Sequence, residues 1–159
     1  MKETKVQSVM DMQKGTRDLV MKTLTKIGCQ YEIADEEDDN RIFFAFQGEY
    51  FWADARNDRK YIQIFDPQWE QVELYDIDEF ARLKKAINGS NLNNSVTTVY
   101  TIDEDGKSVD VHSKSVVYFV PQIPDIENYL RTELAEFFCA HQYVGNELVK
   151  LREKEEARL

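Results

Sequence analysis

A chain of 159 residues that is 42% hydrophobic, with nine Phe, eight Tyr and two Trp, can bury a core without metal or disulfide staples, which excludes the disordered and disulfide-scaffold classes. Its formal net charge of −10 opposes phosphate backbones and anionic bilayers, so neither nucleic acid nor a membrane is expected as a partner. No run approaches the roughly 20 apolar residues of a membrane span, and Met1 to Gln7 lacks the apolar stretch of a signal peptide, so a cytoplasmic protein of bacterial type is expected. Cys29 and Cys139 are far apart and form no Cys-x-x-Cys pair, which reads as reduced, buried thiols in such a compartment, with a disulfide between them as the lesser alternative.

The first predicted element is a helix over Asp11 to Ile27. Met12, Thr16, Leu19, Val20, Thr23, Leu24 and Ile27 recur at three- and four-residue steps, and Gly28 supplies the stop. Short strands follow: Gln30 to Ala34, Arg41 to Gln47 and, beyond Gly48, Glu49 to Ala55. Ile42, Phe44 and Phe46 alternate with Phe43 and Ala45, which predicts a central strand or a sheet covered on both faces. A turn at Arg56 to Arg59 leads into a strand over Lys60 to Phe65, which Asp66-Pro67 should break because proline cannot donate to a ladder. Glu70 to Tyr75 reads as a further short strand or an extended loop.

A second helix is predicted from Asp78 to Asn88. Asp76 or Asp78 is its cap, Phe80, Leu83 and Ile87 form its buried stripe, and Gly89 ends it. After the polar run Ser90 to Asn94, two β-rich segments, Ser95 to Ile102 and Ser108 to Val120, flank Asp103-Glu104-Asp105-Gly106. Asp-Gly between such runs predicts a tight hairpin with positive φ at both central positions. Pro121 and Pro124 end the second segment, and Asp125 is placed as the cap of a last helix striped by Ile126, Leu130, Leu134, Phe137 and Phe138. Gly145 is a point of possible interruption. Residues 146–159 read as a charged, salt-bridged helical extension of a single domain whose core spans about residues 11–145.

Few residues offer chemistry. The acidic loop Asp35 to Asp39 fails the calcium-loop pattern, since the sixth and twelfth positions from Asp35 are Asn40 and Phe46. Asp103-Glu104-Asp105-Gly106 fails it too, because its Gly follows the acids directly. Both acidic runs read as solvated turns, with a weak surface calcium contact as the lesser alternative. His112 alternates away from Val109 and Val111 and is expected to face solvent. His141 lies two residues from Cys139, a spacing that on a helix turns the side chains apart, so no Cys-His dyad or zinc site is expected there. No phosphate loop, dinucleotide turn, nucleophile elbow or zinc-protease motif occurs. The expectation is therefore no catalytic residue, no metal and no cofactor. Tyr50 and Trp52 share one face of a strand, opposite Phe51 and Ala53, and Trp69 and Tyr75 flank a loop edge. These four aromatics are the candidate partner-binding residues, with core packing as the competing explanation.

The order helix, three or four strands, helix, hairpin, long helix resembles the YbjN family, whose fold is like that of type III secretion chaperones. The likeness runs from about Val20 to Tyr143. It is carried by the strand pair Arg41 to Ala55, by Ile62-Gln63-Ile64-Phe65-Asp66-Pro67, by the helix Glu79 to Ile87, by Asn88 and Asn91, by the hairpin from Val99 to Gly106, and by Leu130, Leu134 and Phe137. The resemblance implies an α+β domain, mainly an antiparallel sheet with flanking helices in the order α-β-β-β-α-β-β-α, that binds proteins or acts as an adaptor, often as a homodimer, with no assigned catalytic residues. A non-catalytic, chaperone-like or adaptor module with a protein partner is thus the expected function. A small-ligand sensor or enzyme with a pocket between sheet and helices is the alternative.

Overall fold

The computed structural model describes residues 15–159. Its elements run α1 (Thr16–Lys26), β1 (Tyr31–Ile33), β2 (Arg41–Phe46), β3 (Glu49–Ala55), β4 (Tyr61–Glu73), α2 (Ile77–Asn93), β5 (Thr97–Ile102), β6 (Ser108–Tyr118) and α3 (Ile126–Glu156). The strands form a six-stranded antiparallel sheet in the order β1-β2-β3-β4-β6-β5 with flanking helices, the α+β class expected from the sequence. Backbone contacts divide the chain into two compact units. The first holds the described residues up to Ile64 together with Val116–Arg131, and the second holds Phe65–Ser115 with Thr132–Leu159.

In the first unit, α1 ends as the sequence predicts. Gly28 takes φ +84°, which a Cβ would resist, and the Cys29 N–H folds back to the Leu24 carbonyl at 2.9 Å. The predicted start of this helix at Asp11 lies outside the described residues. The tight hairpin sits where the sequence showed only a separating glycine: Gln47 (φ 50°) and Gly48 (φ 81°) both adopt positive φ and join β2 to β3. Register then pairs Phe44 with Phe51, whose rings stack at 5.6 Å, and puts Ile42 beside Ala53. These residues, with Ala55, Ile62 and Ile64, are buried on one face, where Val20 and Leu24 of α1 are buried too. β2 is an interior strand as predicted, but its second face is open. Phe43 is 38% exposed, so the two-sided apolar pattern does not signal a doubly covered sheet here.

In the second unit, Leu83, Ala86 and Ile87 of α2, Val109 and Val111 of β6, and Val144 and Leu148 of α3 form one core, with Trp69, Val72, Leu74 and Phe80 packed against it. Three expectations are corrected. Asp66-Pro67 does not break β4, which runs on to Glu73. Gln68 takes φ 51° and its N–H turns to the ring of His112 at 2.9 Å, so a side-chain acceptor supplies the bond at this local kink. Helix α2 does not stop at Gly89 but continues to Asn93. A Cβ on Gly89 would lie 2.8 Å from the Tyr143 hydroxyl, so this glycine makes room for a neighbouring helix. Finally, the turn after β5 is not a two-residue hairpin, for Gly106 (φ 69°) has positive φ and Asp105 does not. Asp103 closes the turn with its own side chain, accepting from the Lys107 N–H at 2.9 Å and from the Ser108 hydroxyl. Helix α3 passes Gly145 without a break. Its charged end is tied to α2, where Arg152 meets Glu79 at 2.5 Å and Glu155 meets Arg82.

Candidate functional site

The first unit presents an aromatic sheet face. Strand alternation that buries Ile42, Phe44, Phe51 and Ala53 necessarily turns Arg41, Phe43, Ala45, Tyr50, Trp52 and Asp54 to the other side. Cross-strand register places Phe43 directly beside Trp52 and Ala45 beside Tyr50. The Arg41 guanidinium spans the pair, 5.4 Å from the Phe43 centroid and 5.6 Å from that of Trp52. Asp39 fixes that guanidinium from the other side through bonds to Nε and Nη2 at 2.9 and 2.5 Å, and these bonds hold the Asp39 carboxyl below the usual range. Asp39, the end of the suspected calcium loop, is thus committed to an arginine. Beyond the next turn Arg59 covers Tyr61 at 5.6 Å. Tyr50 is 76% exposed at the tip of this face. Tyr50 and Trp52, predicted to share a face, do so.

Trp69 and Tyr75 belong to the second unit, and the structure does not bring them together. Tyr75 is exposed, just before α2. Trp69 is half-buried and fully engaged. Its ring stacks on His141 at 4.1 Å and its indole N–H donates to Ser113 Oγ at 3.0 Å, which in turn contacts Thr98 Oγ1 at 2.9 Å. His141 Nε2 lies 2.5 Å from Oδ2 of Asp66, a residue with no exposed surface, while Oδ1 of Asp66 has no hydrogen-bond partner among the described residues. Phe138 closes the other side of the imidazole, edge-on at 5.6 Å. This Asp66–His141–Trp69 cluster was missed in the sequence. The spacing rule correctly separated His141 from Cys139, but the partner lies on β4, and only a buried Asp in an otherwise apolar strand face, Ile62-x-Ile64-x-Asp66, signalled it.

His112 is partly exposed, and its ring is also engaged. Its Nδ1 accepts from Gln68, so the ring proton sits on Nε2, which reaches Thr101 Oγ1 at 2.7 Å. Both histidines are therefore built into side-chain frameworks. Both cysteines are free, but only Cys29 is buried as expected, and burial pushes its thiol up; Cys139 is exposed, a correction to the expectation of two buried thiols. Among the described residues no group of three or more His, Cys, Asp and Glu is arranged to hold a metal ion, and no helix is long and apolar enough to cross a membrane.

No protein-family model matches the chain, and no curated protein matches it. Among solved structures it is similar to an uncharacterized protein from Methanothermobacter thermautotrophicus, at 10% identity and a TM-score of 0.61 over 85% of this chain and 97% of that one. At that identity the likeness establishes a shared α+β fold. It is also similar to YbjN from E. coli, at 11% identity and a TM-score of 0.47 over 87% of this chain and 92% of that one. YbjN gives its name to the family that the sequence resembles.

Proposed function

We propose that the protein is a non-catalytic protein-binding module of adaptor or chaperone type, acting in the cytoplasm through the aromatic face of its first unit. The observation that carries this reading is the composition and exposure of that face. Phe43 and Tyr50 stand in solvent and Phe43 lies beside Trp52, with Arg41 laid over Phe43 and Trp52 and Arg59 over the exposed Tyr61. Tyr, Trp, Phe and Arg are the residues enriched in the energetic centres of interfaces, and a sheet face already held flat by its own arginine clamps loses little side-chain freedom on docking. Asp54 on the same face and the chain's charge of −10 favour a partner that is locally basic.

The test is photo-crosslinking from Tyr50→p-benzoylphenylalanine in a native-like host, with affinity capture by the wild-type and Phe43→Ala/Tyr50→Ala proteins. Both side chains are exposed, so the double variant keeps its fold. A stoichiometric partner that crosslinks at this position and loses about 30-fold or more in affinity with the double variant supports the proposal. Retention of every captured partner by the folded double variant removes it. Light scattering identifies the case in which the partner is a second copy.

A small-ligand sensor is the second reading. It is favoured by a cleft of about 810 Å³ in the first unit, lined by Leu19, Lys22, Lys26, Arg59, Lys60 and Ile126 among others. A metabolite that raises the melting temperature, with the shift lost in Lys22→Glu, favours that reading.

A further inference from the structure

We infer that the outer edge of β5 at Tyr100 and Ile102 receives an extended segment of a basic partner protein by strand addition. β5 is the terminal strand of the sheet, paired on one side with β6. The Asp103 N–H donates to the Ser108 carbonyl directly opposite, which sets the phase of the ladder: residues 103, 101, 99 and 97 bond inward, and residues 98, 100 and 102 direct their N–H and C=O groups away from β6. At Thr98 those outward groups are met. Its N–H donates to Asn91 Oδ1 at 2.8 Å, and Asn91 Nδ2 donates to its carbonyl at 3.0 Å. The side-chain amide of Asn91, carried on α2, thus closes one residue of the edge as a neighbouring strand would.

The next two outward residues have no such closure among the described residues. Tyr100 and Ile102 repeat the geometry of Thr98, and no side chain bonds their outward groups. Native edge strands are ordinarily blunted by a charge, a proline or a bulge, and Thr-Thr-Val-Tyr-Thr-Ile contains none of these. Tyr100 and Ile102 are 40% and 50% exposed on one face of the strand, and Val99 is 38% exposed on the other, so an added strand would find apolar anchors on both sides.

Charge selects the occupant. β5 runs directly into Asp103, Glu104 and Asp105, with Lys107 as the opposing charge in that turn. The fitting segment alternates apolar residues and places Lys or Arg where it passes the acidic turn. A second copy of this chain would bring another net −10 to the same edge, which disfavours self-pairing. This edge lies in the second unit and is independent of the aromatic face described above.

The probe is a fluorescein-labelled peptide, Lys-Val-Lys-Val-Thr-Val-Lys, titrated by anisotropy against the full chain. Two control peptides accompany it, one with Glu for every Lys and one N-methylated at alternate residues. Binding of the basic peptide, weakened at least about tenfold by either change and by Tyr100→Pro, is the expected result. Tyr100→Pro removes an outward donor and leaves the inward ladder intact, and the N-methylated peptide tests the same bond on the unaltered protein should that variant fail to fold. Equal binding of the N-methylated peptide, or no binding of the basic one, overturns the inference. So does self-association abolished by Tyr100→Pro, which would give the edge to a second copy. Phe43→Ala/Tyr50→Ala should leave peptide binding unchanged, so failure here and failure of the aromatic-face reading are separable.

Discussion

Replacing His141 by alanine should be among the most damaging single changes available in the second unit. The Asp66 carboxyl is fully buried; among the described residues Oδ1 has no partner and Oδ2 is met by His141 alone at 2.5 Å. Deleting the imidazole, itself 19% exposed, takes away the protein partner of a buried carboxyl. Leaving a buried polar group without its hydrogen-bond partner costs about 1–3 kcal/mol. Loss of the ring stacked on Trp69 at 4.1 Å adds about 0.5–1.5 kcal/mol. Together these are a sizeable share of the stability of many single domains, about 5–15 kcal/mol. Asp66→Leu/His141→Leu removes the polar demand along with its partner and should recover most of the loss, because the same site then packs as hydrocarbon. Urea unfolding at fixed pH, followed by tryptophan fluorescence, measures all three proteins, since Trp69 reports the site directly. A cost below about 1 kcal/mol for His141→Ala refutes the reasoning. A double variant as damaged as the single one refutes it too.

Acid should weaken the helix–helix tie in the same unit. Hydrogen bonds first from Arg152 and then from Arg82 hold the Glu79 carboxyl below its ordinary range. A carboxyl lowered on folding contributes stability that is complete above its unfolded value and is lost as the pH falls through its folded one. The stability difference between wild type and Glu79→Gln should therefore shrink from about pH 6 to pH 3, and a difference constant over that range contradicts the assignment. Thiol labelling by an aromatic disulfide should separate the cysteines. Cys139 is exposed and reacts in the native protein, whereas Cys29, buried and with its thiol pushed up by that burial, waits for unfolding. Two equal fast phases would contradict the burial of Cys29.

Local pattern in the sequence decided where this chain makes helices and strands, because the signals are short-ranged. The spacing of Val20 and Leu24 and the stop at Gly28 define the end of α1, and the alternation around Ile42 to Phe46 defines β2 and which of its residues pair off on one face. The same alternation in β3 puts Tyr50 and Trp52 on one strand face. What the pattern could not reveal depended on groups brought from far along the chain. Pro67 should end a strand, and β4 passes it because His112, forty-four residues on, offers its ring to the Gln68 N–H. Gly89 should end a helix, yet α2 runs on to Asn93 and the glycine instead leaves room for the hydroxyl of Tyr143. Trp69 looked like Trp52 in sequence and is instead locked between His141 and Ser113. The two Gly turns show the same division. Gln-Gly and Asp-Gly both permit positive φ, but Asp103 can satisfy the backbone of its turn with its own carboxylate and so favours the wider loop, while the Gln47-Gly48 turn takes the tight one. Sequence fixes which conformations are cheap at each residue; only the tertiary structure decides which polar groups find partners, and at Asp66, His112 and Tyr100 that bookkeeping of donors and acceptors is what sets the chemistry of the surface and the core.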